Sequence, residues 1–114
     1  MLAPNFKSHR ELGLRKAERL ALIKVLGMLE RGEFQDVDDD ASWYHDKDFR
    51  RIPNAFSMGS WMTCLCGWAR RVSDGKAFAK GHGVGAVDKL FMRTSLRMDG
   101  AAMALRDFLT TGKP

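Results

Sequence analysis

The sequence predicts a small all-α domain of about four helices, with a long acidic loop between the first helix and the rest. Three observations carry this prediction. Apolar residues recur at helical spacing in several separate segments. The few β-branched residues nowhere alternate with polar ones, so strand signals are nearly absent. Glycines stand where helices need to stop. With 114 residues, 45% hydrophobic and 29% charged, the chain is sized and composed as a single domain over residues 1–114.

The first helix is expected within "SHRELGLRKAERLALIKVLGMLERG". Ser8 and Glu11 have capping-box spacing, and Gly32 is placed to end the helix. Gly13 disfavours a start so early and moves it toward Leu14. Leu14, Ala17, Ala21, Val25 and Met28 line one side, with Leu22 and Leu29 beside them. Leu20, Ile23 and Leu26 carry apolar character round the cylinder, so this helix is expected at the centre of the core.

Residues 33–56 show no sustained period; Asp-rich and proline-containing, they read as a loop pinned by Trp43, Tyr44 and Phe49. Next comes "SMGSWMTCLCGWARR". On a helical wheel, Met58, Trp61, Met62, Leu65, Trp68, Ala69 and Val72 cluster within about 120°. Gly59, Ser60, Thr63, Gly67, Arg70 and Arg71 lie opposite, and Ser57 is placed to cap the start. Cys64 and Cys66 then fall on opposite borders of the apolar side, about 160° apart.

"SDGKAFAKGHGVG" is a glycine-rich connector, and "AVDKLFMR" a short helix with Ala86, Val87, Leu90 and Phe91 on one side. The last helix, "MDGAAMALRDFLTTGKP", takes Asp99 as cap and turns Ala102, Leu105, Phe108 and Leu109 inward before Gly112 ends it. Trp61, Trp68, Leu105 and Phe108 are the expected core anchors.

The segments around these anchors resemble a family of short uncharacterised bacterial proteins. Its centre reads Phe-x-Met-x-x-Trp, then Cys-Gly-Thr-x-x-Cys-x-x-Gly-Trp-Ala, and Phe56, Met58, Trp61, Cys64, Trp68 and Ala69 are similar to it. Its tail reads Leu-Phe, then Ala-Ala-x-x-Leu-x-x-Phe-Leu-x-Thr-Gly. Leu90 and Phe91, then Ala101, Ala102, Leu105, Phe108, Leu109, Thr111 and Gly112, resemble that tail. "LGMLERGEF" looks like the end of the family's first helix. In this chain the segment between the cysteines is shortened to Cys64-Leu65-Cys66. The resemblance implies fold and soluble character and assigns no activity.

Charge is unevenly distributed along the chain. Residues 1–32 carry seven Lys/Arg and three acids, residues 33–48 one lysine and seven acids, and residues 49–114 eleven Lys/Arg and four acids. The net charge is +5 and the pI about 9.6, which favours anionic partners. The acidic belt also suits docking against the basic segments on either side of it. No run of about 18 apolar residues is present, so no membrane contact is expected. The first residues lack the apolar core of a secretory signal, and with only two cysteines a cytoplasmic location follows.

The chemical motifs are weak. Cys64 and Cys66 with His82 or His45 would suit zinc or thiol chemistry, but no second cysteine pair or ligand spacing supports it. Buried, packing thiols are the plainer reading. Asp36, Asp38 and Asp40 mimic the start of a calcium loop, yet Ala41 and Lys47 stand where glycine and a bidentate glutamate belong. "GHGVGA" follows no strand and reads as a hinge, and no nucleophile or metalloprotease signature occurs. The expectation is therefore a non-enzymatic module with no cofactor, no catalytic residue and a protein partner. The alternative is a nucleic-acid binder that tracks phosphates with Arg70, Arg71, Lys76 and Lys80. A metal- or thiol-dependent protein acting through Cys64 and Cys66 is third. Oligomeric state is not encoded legibly.

Overall fold

The computed structural model describes residues 5–36, 54–58, 63–79, 85–93 and 96–114. Among them are four helices: α1 (Lys16–Glu30), α2 (Leu65–Val72), α3 (Ala86–Phe91) and α4 (Met98–Thr111). A two-residue parallel pairing joins β1 (Gln35–Asp36) to β2 (Ala55–Phe56), in register Gln35 with Ala55 and Asp36 with Phe56. The fold class is all-α, as predicted. The Cα radius of gyration, 13.3 Å, is that of a compact chain of this length. No helix among the described residues is long and apolar enough to cross a membrane.

Local chemistry explains where α1 begins. Ser8 and Glu11 do form a reciprocal box: the Ser8 N–H donates to Glu11 Oε1 at 3.1 Å and the Glu11 N–H to Ser8 Oγ at 3.2 Å. That box closes a single turn, because Gly13 takes a left-handed φ of +70° and breaks the helical run. α1 starts afresh at Lys16. Its cap, Arg15, has no side-chain acceptor, so only the return half of a box is made, with the Arg15 N–H donating to Glu18 Oε1 at 3.1 Å. The far end is a Schellman turn: the N–H groups of Gly32 and Glu33 donate to the carbonyls of Leu29 and Met28.

α1 packs against both α2 and α4, as a central helix should. It is not apolar all round, however. Leu20, expected to extend the core, is 60% exposed, and Ala17 and Met28 are only partly covered.

The tryptophan helix differs more from expectation. It spans only Leu65–Val72, with Cys64 as an extended N-cap, and Ser57 does not cap it. Ser57 and Thr63 instead face each other: the Ser57 N–H donates to the Thr63 carbonyl at 3.1 Å and Thr63 Oγ1 to the Ser57 carbonyl at 3.4 Å. Those bonds hold Thr63 outside the helix, and the extended Cys64 sets its start at Leu65. Gly59, Ser60, Trp61 and Met62, which the wheel included, lie outside the described residues. The wheel's division collapses as well, since Cys64 and Cys66, expected at its borders, and Gly67, expected on the polar side, are as buried as Leu65 and Ala69.

α4 is capped by Arg97 rather than Asp99, which lies inside the first turn, where Asp99 Oδ1 accepts the Gly100 N–H. Ala101 and Ala104 join Leu105, Phe108 and Leu109 in facing inward, and Ala102 is only half-buried. Gly112 ends the helix as predicted, at φ +76°. Trp68, Leu105 and Phe108 are buried anchors, whereas Trp61 falls outside the described residues. So do the acidic loop from residue 37 to 53, with Trp43, Tyr44, His45 and Phe49, and the hinge holding Lys80 and His82.

One hydrophobic cluster gathers all four helices, β2 and the N-terminal arm. Phe34, which the sequence reading passed over, sits 4.6 Å from the Trp68 ring and 5.5 Å from Phe56. Trp68 Nε1 donates to the Ala55 carbonyl at 2.8 Å, tying α2 to β2. The arm is laced down by the Lys7 N–H donating to the Leu109 carbonyl and by Arg19 Nε donating to the Lys7 carbonyl. Glu30 and Arg106 bridge α1 to α4 through a forked pair at 2.6 and 2.7 Å.

Candidate functional site

Four cations were expected to track phosphates, and the structure assigns them unequal duties. Arg70 is half-buried, and its guanidinium is engaged internally. Its Nε donates to the Phe78 carbonyl at 3.1 Å and its Nη2 lies 3.7 Å from Cys66 Sγ. Arg71 is exposed but lies over the Trp68 ring, 4.8 Å from its centroid. Lys76 is exposed, and Lys80 falls outside the described residues. Of the three described cations, only Lys76 presents an ammonium group with no such internal duty.

Both thiols are buried and neither is in a disulfide. Because Cys64 precedes the helix, the wheel's wide separation of the two sulfurs does not apply. Burial pushes the Cys66 thiol up to about 11. Cys64 beside it acts in the same direction, and Arg70 opposes. At neutral pH Cys66 is therefore a protonated core residue. Among the described residues no group of three or more His, Cys, Asp or Glu is placed to hold a metal ion.

Arg70 belongs to a polar network that the sequence did not announce. Glu18, 14% exposed at its side chain, points inward from the first turn of α1. Its carboxylate accepts the Arg15 and Phe78 N–H groups and pairs with the Arg15 guanidinium at 3.2 Å. Arg15 Nη2 also donates to the Lys76 carbonyl at 2.7 Å. Phe78 is thus held from both sides, its N–H by Glu18 and its carbonyl by Arg70. That grip sustains a φ of +54°, a conformation bulky residues seldom adopt. The Phe78 ring is buried edge-on against Phe91, with centroids 5.0 Å apart. The network locks the turn after α2 onto α1, a structural task.

The other side of α1 is organised differently. Lys16, Leu20 and Lys24 follow one another at four-residue steps along its solvent face. The two lysines are exposed and make none of the ion pairs found among the described residues. Leu20 forms a ridge between two open grooves. One, of about 610 Å³, is lined by Phe6, Ser8, His9, Glu11, Lys16 and Arg19 as well as Leu20. The other, of about 370 Å³, runs between α1 and the end of α2 along Ala17, Ala21, Lys24, Val72, Asp74 and Lys76.

Two carboxylates share this face with the cations. Glu11 is already occupied by Ser8 and by Lys7 at 3.7 Å, and these contacts hold its pKa below the usual carboxylate value. Asp74 stands at the far edge of the smaller groove. The sequence reading counted Leu20 toward the core. The signal that identifies it otherwise is its position midway between lysines four residues to either side.

No protein-family model, no curated protein and no solved structure matches the chain significantly.

Proposed function

We propose that this chain is a non-enzymatic interaction module that holds a protein partner on the solvent face of α1. The observation that carries the proposal is Leu20, 60% exposed between two grooves and flanked by lysines that make no ion pair among the described residues. A leucine so placed exposes apolar surface to water, and a partner that covers it recovers about 25 cal/mol per Å². The hydrogen bonds of the network around Phe78 hold the turn after α2 onto α1, which supports a structural reading of those polar groups. A cytoplasmic setting and kinship with the short bacterial proteins that the Trp68 and Phe108 segments resemble go with this proposal.

A photo-reactive phenylalanine analogue placed at position 20 tests it in living cells. Discrete protein adducts from position 20, and none from the equally exposed position 103 on α4, are the expected result. Absence of any protein adduct from position 20 would end the proposal. Nucleic-acid binding is the second reading, favoured by the exposed Lys76 and Arg71 together with the net charge of +5. It predicts retardation of a labelled duplex that weakens steeply with salt. Thiol or metal function ranks third, and two titratable free thiols with no bound zinc in purified protein would remove it.

A further inference from the structure

We infer that the α1 face recognises an acidic amphipathic segment, one that sets an apolar stripe against Leu20 and its carboxylates against the flanking lysines. The inference rests on the interaction reading above and adds the chemistry of the partner. The pattern of the face itself makes the argument. Its middle is apolar, with Leu20 as a ridge and Phe6, Ala17 and Val72 in the grooves beside it. Its margins are cationic: Lys16 on one flank, beside Arg19, whose Nε is held by the Lys7 carbonyl, and Lys24 and Lys76 on the other.

A complementary surface inverts that pattern, with an apolar centre and an anionic rim, and a helix with one apolar side and acidic neighbours has that form. The lysines would act mainly on encounter and orientation, and the apolar centre on residence. A phosphate backbone matches the margins only. It carries nothing to cover Leu20. A cationic partner is repelled by the lysines on both flanks.

Fluorescence anisotropy on the full chain, with four labelled probes, tests the inference. The probes are a synthetic peptide of leucines at helical spacing with glutamates elsewhere, a scrambled version, a version with lysine for glutamate, and a DNA duplex. The acidic amphipathic peptide is expected to bind at least about tenfold more tightly than the other three, and less tightly as salt rises. Leu20→Asp, and separately Lys16→Glu with Lys24→Glu, should each weaken it about tenfold or more. Met103→Asp on α4 should leave it unchanged. All these positions are exposed, so the variants keep the wild-type circular dichroism and melting temperature.

The inference is overturned if the duplex binds more tightly than the acidic peptide, if scrambling makes no difference, if Leu20→Asp binds like wild type, or if no probe binds. Protein adducts from position 20 alongside any of these results would leave the interaction reading standing and remove only the acidic partner. Absence of adducts would remove both.

Discussion

Two faces that carry basic residues, the polar side of α2 and the outer side of α1, look alike in one dimension and differ in three. On α2, Arg70 reaches into the Phe78 turn and Arg71 lies flat on Trp68. On α1, Lys16 and Lys24 are exposed, one turn to either side of a protruding leucine, and make no ion pair among the described residues. The difference follows from side-chain chemistry. A guanidinium is planar, weakly hydrated and rich in donors, so it suits a half-buried place where it can serve a carbonyl and stack on a ring. An ammonium is compact and strongly hydrated, and it stays at the surface. Basic residues on a helix therefore do not mark a binding face until their partners are known.

The largest expected effect that would break this contrast lies at Trp68. Trp68→Ala removes a buried indole, its hydrogen bond to Ala55 and its contact with Phe34, and should cost about 3–5 kcal/mol in urea denaturation. That is a large fraction of the roughly 5–15 kcal/mol that holds a domain of this size together. An unchanged midpoint would show that α2 is not the buried helix described here.

Alkaline titration comes next. A thiol whose folded pKa is raised keeps its proton in the native state while the unfolded chain releases it. Stability is then unaffected below about pH 9 and falls between about pH 9 and pH 11. The loss is on the order of 2–3 kcal/mol, with Cys66→Ala abolishing this part of the pH dependence. Denaturation curves collected across that range read it directly, and a flat profile would place the Cys66 thiol in water.

Arg70→Ala should cost about 1–3 kcal/mol, because it strips the Phe78 carbonyl of its donor, whereas Arg71→Ala should cost about 0.5–1 kcal/mol for the exposed stacking contact. Equal effects from the two would erase the distinction between the engaged and the exposed arginine. Smallest of all, Lys16→Glu and Leu20→Asp should each move stability by no more than about 0.5 kcal/mol.

Much of the architecture was legible in advance for reasons that are local. Gly13, Gly32 and Gly112 act through their own backbone conformation, and each interrupts or ends a helix where the sequence placed it. The apolar side of α4 and its anchors Leu105 and Phe108 follow from periodicity alone. The start of α2 was not legible, since the bonds between Ser57 and Thr63 compete with helix formation and depend on how the chain returns on itself. Nor was the network at Phe78. Glu18 and Phe78 are 60 residues apart, and nothing in either neighbourhood announces the other. Leu20 was misjudged because hydrophobicity was counted without asking whether enough protein existed to cover every side of α1. The cover runs out on the Lys16–Lys24 side, which is what makes that side available.

The division between an engaged α2 and an available α1 is tested most directly by mapping amide chemical shifts as the acidic amphipathic peptide is added to isotope-labelled full chain. The account predicts shifts concentrated at residues 6–24 and 72–76, with α4 unmoved around Met103. Shifts centred on Arg70 and Arg71, with Leu20 and its neighbours unmoved, would contradict it.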